Sequence, residues 1–137
     1  MSEILIMEDD ADQALLLRDA LVNAGHSVTV TYDGAEAWLL LQSKRFDVLL
    51  TDLYIAPARK ISSGLGGFSL IGRIRQTSND EERSDGLSEM KIIAITGGAN
   101  FLSGQNPLQM ASSFGADMCF QKPVDFSALI ASINDLT

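Results

Sequence analysis

The chain has 137 residues, 46% of them hydrophobic and 20% charged, which suits one packed core and leaves little room for a second domain. Ten Lys and Arg stand against eighteen Asp and Glu, and a net charge of −8 argues against nonspecific binding to nucleic acid or to an acidic membrane, both of which need a basic face. Cys119 is the single cysteine, which excludes an intramolecular disulfide, and no apolar stretch reaches the length of a membrane span; a cytoplasmic, reducing compartment is expected.

Apolar runs rich in β-branched residues alternate with segments of helical period, the pattern of βαβ units on a parallel sheet. The first expected strand runs from Ile4 to Met7. A helix opens after Asp10, whose carboxylate can cap free N–H groups. Its expected buried face is Ala14, Leu15, Leu17, Leu21 and Val22, and Gly25 stops it. His26 then falls in a surface loop, with no second His or Cys at ligand spacing to make it a metal ligand.

A second strand, Val28 to Thr31, leads to a helix from Gly34 to Ser43 with Ala35, Trp38, Leu39 and Leu41 available to its buried side. Phe46 leads into the third strand, Val48 to Thr51, and a third helix covers Gly67 to Gln76 with Phe68, Leu70, Ile71 and Ile74 toward the sheet. The fourth strand is Ile92 to Thr96. A helix after Pro107 uses Leu108, Met110, Ala111 and Phe114 and ends at Gly115. The fifth strand is Met118 to Gln121, within which Cys119 reads as a small buried hydrophobe. The last helix opens at Asp125, an N-cap after Pro123, and carries Phe126, Leu129, Ile130 and Ile133. The strands are nearly continuous apolar runs, as expected when both faces of a sheet are covered.

Three connections exceed the usual length of compact α/β loops: Leu53 to Gly66, Thr77 to Met90 and Gly97 to Asn106. The second, with Asp80, Glu81, Glu82, Asp85 and Glu89, reads as a solvated loop. The first follows the third strand, and its Arg59 and Lys60 either attract an acidic partner surface or form a solvated tip. Gly64, Gly66 and Gly67 lack the spacing and the Lys-Ser/Thr of a nucleotide phosphate loop.

In open α/β sheets the ligand crevice lies beyond the carboxyl ends of the strands. There the first strand ends in Glu8 and Asp9, the third in Asp52 and the fourth in Thr96, while the fifth is followed by Lys122 and Pro123. Any one of these acids could simply cap a helix or face water. Together they form a set whose chemistry fits phosphoryl transfer to a carboxylate. Glu8, Asp9, Asp52 and one backbone carbonyl offer Mg²⁺ the oxygen ligands it prefers. Asp52 is the nucleophile, and Lys122 and the Thr96 hydroxyl hold phosphoryl oxygens.

At these residues the sequence resembles the receiver domain of two-component response regulators, the chemotaxis-regulator-like fold, over nearly its whole length. The matching segments are ILIMEDD (4 to 10), FDVLLTDL (46 to 53), GFSLIGRIR (67 to 75), IIAITG (92 to 97), FGAD (114 to 117) and FQKP (120 to 123). The resemblance implies a single doubly wound α/β domain over residues 1–137, five parallel strands in the flavodoxin-like order 2-1-3-4-5 with helices on both faces. It implies Glu8 and Asp9 as the acidic metal pair, Asp52 as phosphoacceptor, Thr96 as switch hydroxyl, Lys122 as phosphate-binding lysine, and a backbone carbonyl of Tyr54 as a further Mg²⁺ ligand. Pro123 takes the place of a proline often joined through a cis peptide bond. A histidine kinase or histidine phosphotransfer protein is implied as donor and a downstream protein as target. The sequence departs from the family pattern in its longer loops after Asp52 and Gly97, and in Cys119, which occupies the usual aromatic switch position.

Two other classes compete. A phosphorylation-independent binding module would use the long loops as its working surface, against which the full set of site residues counts. An aspartate-nucleophile phosphatase would have a second acid two residues after the nucleophile, where this chain has Tyr54. A flavin site is disfavoured because Glu8, Asp9 and Asp10 would repel a phosphate. No enzyme activity is expected beyond self-catalysed phosphoryl transfer to Asp52 and its hydrolysis.

Overall fold

The computed structural model of the protein describes residues 1–52, 67–76, 90–97 and 115–137, with 67–69, 96 and 97 as backbone only. The apolar runs form five strands: β1 (Glu3–Met7), β2 (Ser27–Thr31), β3 (Val48–Asp52), β4 (Lys91–Gly97) and β5 (Met118–Lys122). All pair in parallel in the order β2-β1-β3-β4-β5. The described helices are α1 (Ala11–Asn23), α2 (Gly34–Ser43), α3 (Gly67–Gln76) and α4 (Phe126–Leu136). Each expected strand is present, longer by one or two residues than its apolar run. The helix expected after Pro107, the bodies of the three long loops, Tyr54, Arg59, Lys60, Gly64 and Gly66 lie outside the described residues.

Side chains alternate across each strand, so the sheet divides two apolar cores. Leu5, Met7, Leu49, Ile92 and Ala94 face Ala37 and Leu41 of α2 and Leu70, Ile71 and Ile74 of α3. Ile4, Ile6, Val48, Leu50, Ile93 and Ile95 face Leu17 and Leu21 of α1 and Leu129 and Ile133 of α4. The inner strand β3 is buried throughout, whereas the outer strands β2 and β5 are largely half-covered because each has a neighbour on one side only.

Aspartates start three helices. Asp10 accepts from the backbone N–H groups of Asp12 and Gln13, Asp33 from Glu36 and Asp125 from Ala128, each occupying orphan donors of a first turn. Helix α1 ends in a Schellman motif: the Gly25 N–H bonds to the Val22 carbonyl and the His26 N–H to the Leu21 carbonyl, with Gly25 at φ +97°.

Three sequence expectations need correction. Leu15 and Val22 are 39% and 49% exposed, so α1 buries Ala14, Leu17 and Leu21 alone. On α2, Leu39 is 68% exposed and Ala37 takes its place in the core. His26 is buried: the Schellman turn leads it to the start of the chain, where its Nδ1 accepts the Ser2 N–H at 3.1 Å. Cys119 is half-buried against the α2/α3 core, and burial pushes its thiol pKa up.

Candidate functional site

The period of two that sorts the cores also builds the site. Ile4, Ile6 and Glu8 share one face, as do Val48, Leu50 and Asp52, and Met118, Phe120 and Lys122. The apolar members pack under α1 and α4; the last member of each series is charged and reaches the carboxyl edge. Met7 pairs with Thr51, which sets Glu8 beside Asp52, and Gly97 pairs with Lys122.

Glu8 and Asp52 are buried, with 1% and 4% of their surface exposed, and Asp9 is half-buried. One carboxylate oxygen from each lies within 4.8 Å of the others. Lys122 reaches in from the end of β5: its Nζ donates to Asp52 Oδ2 at 3.1 Å and stands 3.2 Å from Glu8 Oε2. The second contact is an ion pair without hydrogen-bond geometry, so among the described residues Glu8 Oε2 is a buried oxygen that accepts no directed bond. Its partner Oε1 accepts the Asp10 N–H at 3.2 Å.

The electrostatics follow. Burial, and then the Asp52 charge, push Glu8 from 4.5 up to about 7, against the opposing pull of Lys122 and of the Asp10 N–H. Burial by itself would lower Lys122, but the Asp52 and Glu8 carboxylates outweigh it and the net shift is upward. Among the described residues, the Lys122 ammonium therefore faces two buried carboxylates, with a third nearby. An all-oxygen donor set with a buried, undirected carboxylate oxygen fits a hard metal cation.

Glu8, Asp9, Asp52 and Lys122, all singled out from the sequence, come together here. Thr96 stands at the same edge on β4, opposite Gln121, with its backbone alone described. The Lys122–Pro123 peptide is cis. Two buried hydroxyls were missed: Thr31 Oγ1 donates to the Ile6 carbonyl at 2.8 Å and Thr51 Oγ1 to the Asp52 carbonyl at 3.3 Å. The available signal was a polar residue near the end of an otherwise apolar strand. A separate cavity of about 320 Å³, lined by Met1, Ser2, His26, Asp47, Asn134 and Thr137, lies toward the amino ends of the strands, away from Glu8, Asp9 and Asp52.

The chain matches the response regulator receiver domain family over residues 4–134. It is 34% identical over 97 residues to the response regulator receiver protein CpdR of Brucella abortus, covering 71% of this chain and 68% of that one. It is 26% identical over 132 residues to the virulence sensor protein BvgS of Bordetella pertussis, covering 96% of this chain but 10% of the relative, so it spans about a tenth of such sensor proteins. Among solved structures, the signal receiver domain of a DNA-binding response regulator from Colwellia psychrerythraea matches with a TM-score of 0.74 at 30% identity, covering 98% of this chain and 96% of that one. A Francisella response regulator receiver domain matches in fold with a TM-score of 0.78 at 23% identity, over 99% and 96% of the two chains. The chain belongs to the response regulator receiver family: it is a receiver domain of two-component signalling. Among the described residues no helix is long and apolar enough to cross a membrane.

Proposed function

We propose that residues 1–137 act as one receiver in which Asp52 accepts a phosphoryl group in a Mg²⁺-dependent reaction and thereby changes the protein's contacts with a downstream protein. The observation that carries this reading is the convergence of Glu8, Asp9, Asp52 and Lys122 at one sheet edge of a receiver-family chain. The donor is a histidine kinase or a histidine phosphotransfer protein. Relatives named as sensor histidine kinases, such as RcsC of Salmonella typhi, support that class of donor.

An Asp52 carboxylate oxygen attacks the phosphorus; the P–N bond to the donor's histidine breaks, its electron pair returning to the imidazole nitrogen, and an acyl phosphate forms. Lys122, which now holds the Asp52 carboxylate, moves its donation to a phosphoryl oxygen, joined by the Thr96 hydroxyl. Mg²⁺ held by Glu8, Asp9, Asp52 and the Tyr54 carbonyl would offset the charge of the carboxylates and of the phosphoryl oxygens. Water later attacks the phosphorus, the P–O bond to Asp52 breaks, and the carboxylate and inorganic phosphate are released. The domain turns over no other substrate, and it contacts neither nucleic acid nor membrane; it works in the cytoplasm.

Incubation with acetyl phosphate, with and without Mg²⁺, followed by intact mass tests the reading on wild type and Asp52→Asn. The expected result is one added phosphoryl group, dependent on Mg²⁺ and absent from the variant. Absence of an adduct together with failure to form a fluoroberyllate complex would overturn it in favour of a phosphorylation-independent binding module.

A further inference from the structure

A strand-end residue outside the acidic set is bonded to the backbone that carries Glu8. Thr31 is the last residue of β2, an outer strand of the sheet, and is fully buried although the four residues before it are only half-covered. In register it lies opposite Met7, the residue immediately before Glu8. Two bonds bracket that position: the Thr31 hydroxyl donates to the Ile6 carbonyl at 2.8 Å, and the Glu8 N–H donates to the Thr31 carbonyl at 3.1 Å. A buried hydroxyl costs free energy unless it is bonded, and valine would fill this position with the same shape and strand preference.

An outer strand has one neighbour to hold its end, so the ladder is free to fray there. A fray at Thr31 would release the backbone of Glu8 on the side away from β3. Glu8 must stand within metal-sharing distance of Asp52, which β3 carries on the other side of β1. We infer that Thr31 is a positioning residue for the cation site: its hydroxyl clips the end of β2 onto β1 and fixes the Glu8 backbone. This rests on the receiver reading, because it presumes that Glu8 and Asp52 share a cation.

The test is titration with Mg²⁺, followed by the amide chemical shifts of Glu8 to Asp10, on wild type, Thr31→Val and Thr31→Ser, alongside urea unfolding without divalent ions. Thr31→Val is expected to weaken Mg²⁺ affinity about tenfold, as loss of a group that orients a metal ligand does. Thr31→Ser restores the hydroxyl and is expected within about twofold of wild type. A purely structural role would move the unfolding midpoint and leave affinity unchanged, so wild-type affinity in Thr31→Val would overturn the inference. Should that variant not fold, Thr31→Ala is read by the same criterion. A wild-type protein that shows no Mg²⁺ response would sink the cation site itself, and this inference with it, whatever the variants do.

Discussion

The two ends of the sheet are built on opposite principles. At the amino ends, acids are matched to donors: Asp47 Oδ2 accepts the Glu3 N–H at 2.8 Å, Asp117 Oδ2 accepts the Ile92 N–H at 2.8 Å, and Arg75 donates to the Gly115 and Met90 carbonyls and to Asp117. At the carboxyl ends, Glu8 and Asp52 are buried around the Lys122 ammonium, and among the described residues one Glu8 oxygen accepts no directed bond. The first end holds the strands together. The second gathers like charges whose repulsion a bound cation would relieve, so the paired acids and the clustered acids stand at opposite ends of the same strands.

The sharpest way to break that division is at Arg75. Its guanidinium sits between α3 and the starts of β4 and β5, with bonds of 2.8, 2.8 and 3.0 Å to Gly115, Met90 and Asp117. It also packs so closely over Gly115, at φ +94°, that a Cβ there would come within 3.0 Å of Arg75 Cγ. Arg75→Ala is expected to cost about 2–3 kcal/mol in urea unfolding, because several charge-assisted bonds go at once. Mg²⁺ affinity should stay at the wild-type value once the protein is folded; a loss of affinity matching the loss of stability would show that the two ends are not separate. Arg75→Lys should recover little, since an ammonium cannot reproduce the fork.

At the other end, removing a charge should stabilise. Glu8 is raised from 4.5 to about 7, so between those values the metal-free folded protein holds a proton that the unfolded chain has released. The contribution to stability is fully present below the unfolded value of 4.5 and is lost as pH rises through about 7. Metal-free stability should therefore fall from pH 5 to pH 8, and added Mg²⁺ should offset the fall by competing with the proton. Glu8→Gln is expected to gain about 1–2 kcal/mol at pH 8 without metal and to flatten that slope, while binding Mg²⁺ more than about tenfold more weakly. A metal-free variant less stable than wild type at pH 8 would mean that the Lys122 pairing outweighs the repulsion.

The same contrast decides what the sequence could reveal. The strands are legible because β1, β3 and β4 are covered on both faces, and the acids at the ends of β1 and β3 stand out because their strand neighbours are apolar. The chosen face of α1 was not legible: Ala14 to Leu17 are apolar in succession, so their side chains point all round the helix and period alone cannot say which two meet the sheet. Thr31 was hidden for a different reason. Its β-branched shape reads as a strand former, and nothing in the chain marks the hydroxyl as bonded to a carbonyl 25 positions earlier. The long-range clasp of Arg75 on Asp117 escapes for the same cause, since partners 42 residues apart leave no periodic trace.

His26 provides the finest test of the amino end, because it was expected on the surface. It follows the Schellman glycine, its N–H bonds back to the Leu21 carbonyl, and its side chain is buried beside Ser2. Its Nδ1 accepts from Ser2, so its Nε2 carries the hydrogen, and that donor has no hydrogen-bond partner among the described residues. The two nitrogens thus make different predictions. His26→Ala leaves the buried Ser2 N–H without an acceptor and should cost about 1–2 kcal/mol. His26→Asn keeps an acceptor near the place of Nδ1 but brings amide N–H donors of its own, so it should recover only part of that loss. Hydrogen exchange at the Ser2 amide separates the cases: protection should persist in the Asn variant and disappear in the Ala variant. Equal protection in both would mean that the imidazole serves only to fill space, and that the matching of donors at this end stops at Asp47.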